Sequence, residues 1–205
     1  MNTENNWQSD ASDIFWGEIS PCEHLVQIYQ DDGVFLDSLE GFVRGGLRTG
    51  DGVIVIATED HLEALNDRLE SHHVDLASAQ SQDQYISMDA QETLSKFMVK
   101  SLPDEELFTQ VVTDLLERAR SGGRRVRAFG EMVAVLWSQG HNGATVRLEH
   151  LWHRFCQTEA FSLFCAYPRS GFTQDATKSI KEICDAHSKV IGASWVDTDK
   201  NVSAA

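Results

Sequence analysis

An α/β fold, a mostly parallel sheet flanked by helices, is predicted by three features of the sequence. Short runs rich in β-branched and aromatic residues alternate with longer stretches of helical periodicity. The run Val53-Ile-Val-Ile-Ala57 is apolar on both faces, as a central strand of a parallel sheet must be. The chain of 205 residues is long enough for one such core and too short for two large ones.

Taken in order, residues 1–20 are polar and acidic, with Trp7, Phe15 and Trp16 their only large aromatics. They read as a mobile arm able to dock at one point. The domain proper is expected over residues 21–192, with a frayed tail over 193–205. His24 to Tyr29 is the first strand, Asp31-Asp32-Gly33 the turn after it, and Phe35, Leu36, Leu39, Phe42, Val43 and Leu47 mark an amphipathic helix. Gly45, Gly46 and Gly50-Asp51-Gly52 read as the helix end and the turn into the strand at Val53. Thr58 is the expected N-cap of a helix carrying Leu62, Leu65 and Leu69. A short strand is expected at Gln84 to Ser87, then helices over Ala90 to Lys100 and Pro103 to Arg120. Pro103 and the acids Asp104, Glu105 and Glu106 suit the start of the second. Ser121-Gly122-Gly123 leads to a strand at Arg125 to Phe129. Helical patterns follow at Val133 to Gln139 and Gly143 to Thr158, and Phe161 to Tyr167 is a strand stopped by Pro168. A closing helix is expected over Thr173 to Ile191.

Composition narrows the function. A net charge of −15 repels phosphate backbones and anionic lipid, which argues against nucleic acid as a partner. No apolar run approaches the roughly 20 residues of a membrane helix, so no membrane partner is expected. The N-terminus lacks a signal-peptide pattern, and the four cysteines lie far apart without a Cys-x-x-Cys pair; a cytoplasmic protein with small buried thiols is the expectation.

In an open parallel sheet ligands sit beyond the carboxyl ends of the strands. The residues leaving those strands here are Tyr29 with Asp31, Thr58, Glu131 and Tyr167, a set suited to a small polar-headed or aromatic ligand. Asp31 and Glu131 could equally be helix caps. The first strand-to-helix turn lacks the Lys and the Ser/Thr of a phosphate loop and carries two carboxylates instead, which disfavours nucleotide hydrolysis. His150 and His153 lie three apart on a predicted helix without an identifiable third ligand, so no metal is assigned. No nucleophile turn of the Gly-x-Ser-x-Gly kind occurs, and no catalytic residue is assigned. Arg118, Arg120, Arg124, Arg125 and Arg127 form a local basic cluster, read as neutralising a helix end and nearby acids rather than as an anion site.

The stretches His24–Tyr29, Phe42–Thr58, Gly130-Glu131-Met132, Arg147–Trp152 and Phe161–Pro168, in this order and spacing, resemble the MEDS domain, a methanogen/methylotroph DcmR-like sensory domain. The resemblance covers roughly residues 22–190. It implies a three-layer RecA/KaiC-like sheet without a functional P-loop, and a sensory module of bacterial and archaeal signalling that binds small molecules such as hydrocarbon derivatives. It places His24, Tyr29, Glu131, Glu149 and Tyr167 at family motif positions, as ligand-site or scaffold residues. The expected partners are a small organic ligand and a signalling protein such as a histidine kinase, reached in trans because no output domain follows residue 168. A homodimer stays open, and no cofactor is expected. Two alternatives remain: a degenerate nucleotide-binding ATPase-like protein using Glu131 as a base, and a ligand-free interaction scaffold.

Overall fold

The computed structural model describes Trp16, residues 19–172, Lys181, residues 183–185 and residues 187–191. Six parallel strands form one sheet in the order β3-β2-β6-β7-β1-β8. They are β1 His24–Tyr29, β2 Gly52–Ala57, β3 Tyr85–Asp89, β6 Val126–Gly130, β7 Ser162–Pro168 and β8 Lys189–Ile191. β4 Met98–Val99 and β5 Leu102–Pro103 make a separate two-stranded hairpin. The helices are α1 Asp32–Arg48, α2 Glu59–Ser71, α3 Leu76–Ser81, α4 Ala90–Ser95, α5 Glu105–Ala119, α6 Met132–Ser138 and α7 Asn142–Glu159.

Strand alternation sorts the core into two layers. Leu25, Tyr29, Val53, Val55, Phe129 and Phe164 pack with α1, α2 and α3 on one face. Val26, Ile28, Ile54, Ile56, Ala128, Leu163, Cys165 and Tyr167 pack with α4 to α7 on the other. β1, β2 and β6 are buried along their whole length, which explains why Val53 to Ala57 of β2 is apolar at successive positions rather than alternating. The α/β reading and the parallel sheet flanked by helices thus hold.

Several elements differ from expectation. The third strand runs on to Asp89, whose side chain caps α4 by accepting from the Glu92 N–H. The helix expected to Lys100 stops at Ser95, because Phe97 turns fully inward and the chain reverses through Lys100 and Ser101, both left-handed at φ 48° and 66°. Pro103 therefore pairs in the hairpin, and Asp104 starts the next helix by accepting from the N–H groups of Glu106 and Leu107. Helix α3, capped by Asp75, is additional to the expected elements. Of the expected closing helix, residues 173–180 lie outside those described, and its last three residues instead form β8 beside β1. Gly45 and Gly46 are interior to α1, not its cap. A Cβ on Gly46 would stand 2.6 Å from Arg127 Cδ and 2.7 Å from Val53 Cγ2, so glycine is required by close packing.

Arg127 fastens this region. It is 2% exposed, donates from Nε and Nη2 to Asp51 at 3.0 and 2.5 Å, and donates from Nη1 to the carbonyls of Trp16 and Phe42 at 2.7 and 3.2 Å. Its guanidinium also lies over the Phe42 ring, 5.3 Å from the centroid. The remaining arginines of the basic cluster are engaged as well. Arg118 meets Asp83, Arg120 meets Glu159, Arg124 donates to backbone carbonyls, and Arg125 meets Asp51. Among the described residues no helix is long and apolar enough to cross a membrane.

Candidate functional site

The topology contains a switch point. β2 and β6 are neighbours, yet the chain leaves β2 toward β3 and leaves β6 toward β7, in opposite directions along the sheet. The helices that follow diverge too, α2 packing on one face and α6 with α7 on the other. Such a switch point opens a cleft at the carboxyl ends of the two strands.

Glu131 and Thr58 stand there, each the first residue after its strand. The Glu131 N–H continues the ladder by donating to the Ile56 carbonyl at 2.8 Å. Its carboxylate makes no capping bond to α6 and turns across to α2 instead. Oε2 accepts from the Thr58 N–H at 2.9 Å and the Thr58 hydroxyl at 3.3 Å, and Oε1 lies 2.8 Å from His61 Nδ1. The hydrogen bond that His61 donates to Glu131 raises the His61 pKa against the opposing effect of burial, and Asp32 and Asp60 add to the rise. The imidazolium–carboxylate pair is thereby favoured. Phe35 of α1 connects this group to Tyr29, stacking on the Tyr29 ring at 4.7 Å and meeting the His61 ring edge-on at 5.0 Å. Burial and the nearby Glu131 and Asp32 charges raise the Tyr29 phenol, keeping it a neutral donor. Asp31 is exposed and caps α1, its Oδ1 accepting from the Val34 N–H at 3.1 Å.

The other sequence candidates gather elsewhere. His24, Glu149 and Tyr167 lie on the opposite face of the sheet, beneath α7, together with Cys165 and His187. Tyr167 donates its hydroxyl to Glu149 Oε1. His24 Nε2 is 3.5 Å from Cys165 Sγ and 3.7 Å from Glu149 Oε2, and His187 Nε2 is 3.6 Å from the same oxygen. Burial, reinforced by His187 and His153, pushes the His24 pKa down to about 2, so its ring is neutral. Burial and the adjacent Glu149 raise Cys165, which is therefore a thiol. Among the described residues, His24, Glu149, Cys165 and His187 have donor atoms close enough to share a metal ion.

A family match agrees with this architecture. Residues 23–188 match the MEDS family, described as the methanogen/methylotroph, DcmR sensory domain. The chain belongs to the MEDS family. No curated protein matches the sequence. The MEDS match spans β1 through His187 and so contains both polar groups, the one at the switch point and the one beneath α7. MEDS is a sensory domain family, and membership in it supports a sensory role for this protein.

Sequence reasoning named Glu131, Thr58 and Tyr29 but not His61, although His61 follows Thr58 by three residues and so shares its side of the first turn of α2. Cys165 and His187 were also missed. Cys165 sits two residues before Tyr167 on the same strand face, a signal that was present. His187 carried none, because nothing local announces its burial.

Proposed function

We propose that this MEDS domain senses a small organic molecule at the switch point between β2 and β6. The observation that carries the reading is the Glu131 carboxylate. It is nearly buried, leaves its own helix uncapped, and is held by three donors from the first turn of α2. A ligand hydroxyl or amine that took over one of those bonds would loosen the start of α2, and the aromatic pair Tyr29 and Phe35 offers the apolar wall for its carbon skeleton. Binding shifts the α2 position only by the difference in affinity between its two placements, so the competing donors are the means of coupling. The output passes to a signalling protein such as a histidine kinase. Four free cysteines support a reducing, cytoplasmic setting.

The test is thermal unfolding of the protein with a panel of small alcohols, amines and halogenated hydrocarbons, beside Glu131→Ala. A stabilising compound whose effect disappears in Glu131→Ala is expected. An equal shift in both proteins would place the ligand elsewhere, and the absence of any shift would favour a ligand-free scaffold.

A further inference from the structure

Beneath α7 the sheet buries four residues of different chemistry around one point: His24 of β1, Cys165 of β7, Glu149 of α7 and His187 just before β8. All four are buried, and their donor atoms lie within 4.8 Å of one another. A tetrahedral zinc-type centre with bonds of about 2.0–2.3 Å requires ligand atoms roughly 3.3–3.8 Å apart. Three of the pairs stand at 3.5, 3.6 and 3.7 Å, already at that spacing.

The surroundings orient the donors. His187 Nδ1 lies 2.6 Å from the Ile183 carbonyl, which can only accept, so Nδ1 carries a proton and Nε2 is the nitrogen left to face the cluster. The Tyr167 hydroxyl occupies Glu149 Oε1 and leaves Oε2 facing the cluster. Glu149 Oε2 and His187 Nε2 are both buried and have no hydrogen-bond partner among the described residues. Two buried polar atoms thus face one point with no hydrogen bond to satisfy them. A histidine anchored through its far nitrogen and a carboxylate anchored through its far oxygen are the usual supports of metal ligands. The His153 ring is 6.0 Å from the ring of His24, and His153 also lines a surface cleft of about 470 Å³ with His150 and Arg154.

We propose that His24, Glu149, Cys165 and His187 form a site for a first-row divalent transition metal of zinc-like chemistry. The mixed set of two imidazoles, one thiolate and one carboxylate suits such an ion and not magnesium or calcium. Binding releases the Cys165 thiol proton to solvent and ties β1, β7, α7 and the segment before β8 to one centre. The site is on the face of the sheet opposite Glu131 and stands independently of the small-molecule reading.

The experiment is titration of the chelator-stripped full chain with Co²⁺ as the probe, followed by absorption and native mass spectrometry. One equivalent of Co²⁺ is expected, with a thiolate-to-cobalt charge-transfer band and the visible bands of a four-coordinate ion, all displaced by Zn²⁺. The charge-transfer band should vanish in Cys165→Ser, affinity should fall at least tenfold in His187→Gln, and Tyr167→Phe should weaken it 10- to 100-fold. His150→Ala should change nothing. Failure of the wild-type chain to take up Co²⁺, or uptake that lacks a thiolate band, would overturn the proposal. So would uptake lost in His150→Ala and retained in Cys165→Ser. The wild-type spectrum alone decides the matter if a variant does not fold.

Discussion

Arg127 and Glu131 show how much single residues carry in this protein. Arg127 is a buried cation whose burial lowers its pKa and whose hydrogen bond and charge pairing with Asp51 oppose that effect. Removing the partner leaves the charge uncompensated, so Asp51→Ala is expected to cost about 3–5 kcal/mol in urea unfolding. Glu131 acts through His61, whose pKa is raised in the folded state. The unfolded chain titrates near the ordinary histidine value of about 6.5. The folded state therefore holds the extra proton between that value and the raised one. The stabilising contribution is complete below about pH 6.5 and is lost as pH rises through the folded pKa. His61→Gln should accordingly lower the melting temperature most at pH 6 and progressively less toward pH 9. A difference that grows with pH would show that the pair does not work this way.

At the scale of elements, the sheet and its central helices were legible in the sequence because burial on both faces leaves an uninterrupted apolar run. Val53 to Ala57 is the clearest case. The hairpin between α4 and α5 was not legible, since its turn is made by Lys100 and Ser101, residues with no particular preference for the left-handed conformation they adopt. β8 was hidden too, because three residues pairing along the edge of β1 leave no periodicity to read. The switch-point residues could be named because strand ends are fixed by the fold class. Assigning them to separate faces required knowing the direction in which each side chain leaves its strand. The packing of elements is tight where β2 begins: a Cβ on Gly52 would stand 2.3 Å from the Ala119 carbonyl oxygen at the end of α5. Gly52→Ala should push that helix end away and destabilise the protein by about 1–3 kcal/mol. Equal denaturation midpoints for Gly52→Ala and the parent chain would show that α5 yields freely.

Across the whole molecule, a parallel sheet separates two polar groups with different duties. On one face Glu131 links the ends of β2 and β6 to the start of α2. On the other, the His24, Glu149, Cys165 and His187 cluster joins four elements around a single point. Hydrogen exchange across α2 gives the most direct test of the sensory account, measured with and without whichever compound of the alcohol, amine and halogenated hydrocarbon panel raises the melting temperature. The account requires exchange at the first turn of α2, residues 59–62, to change on binding in the parent chain and not in Glu131→Ala, with the β7 amides unaffected. A compound that stabilises the protein yet leaves the α2 exchange the same, or alters it equally in Glu131→Ala, would contradict it.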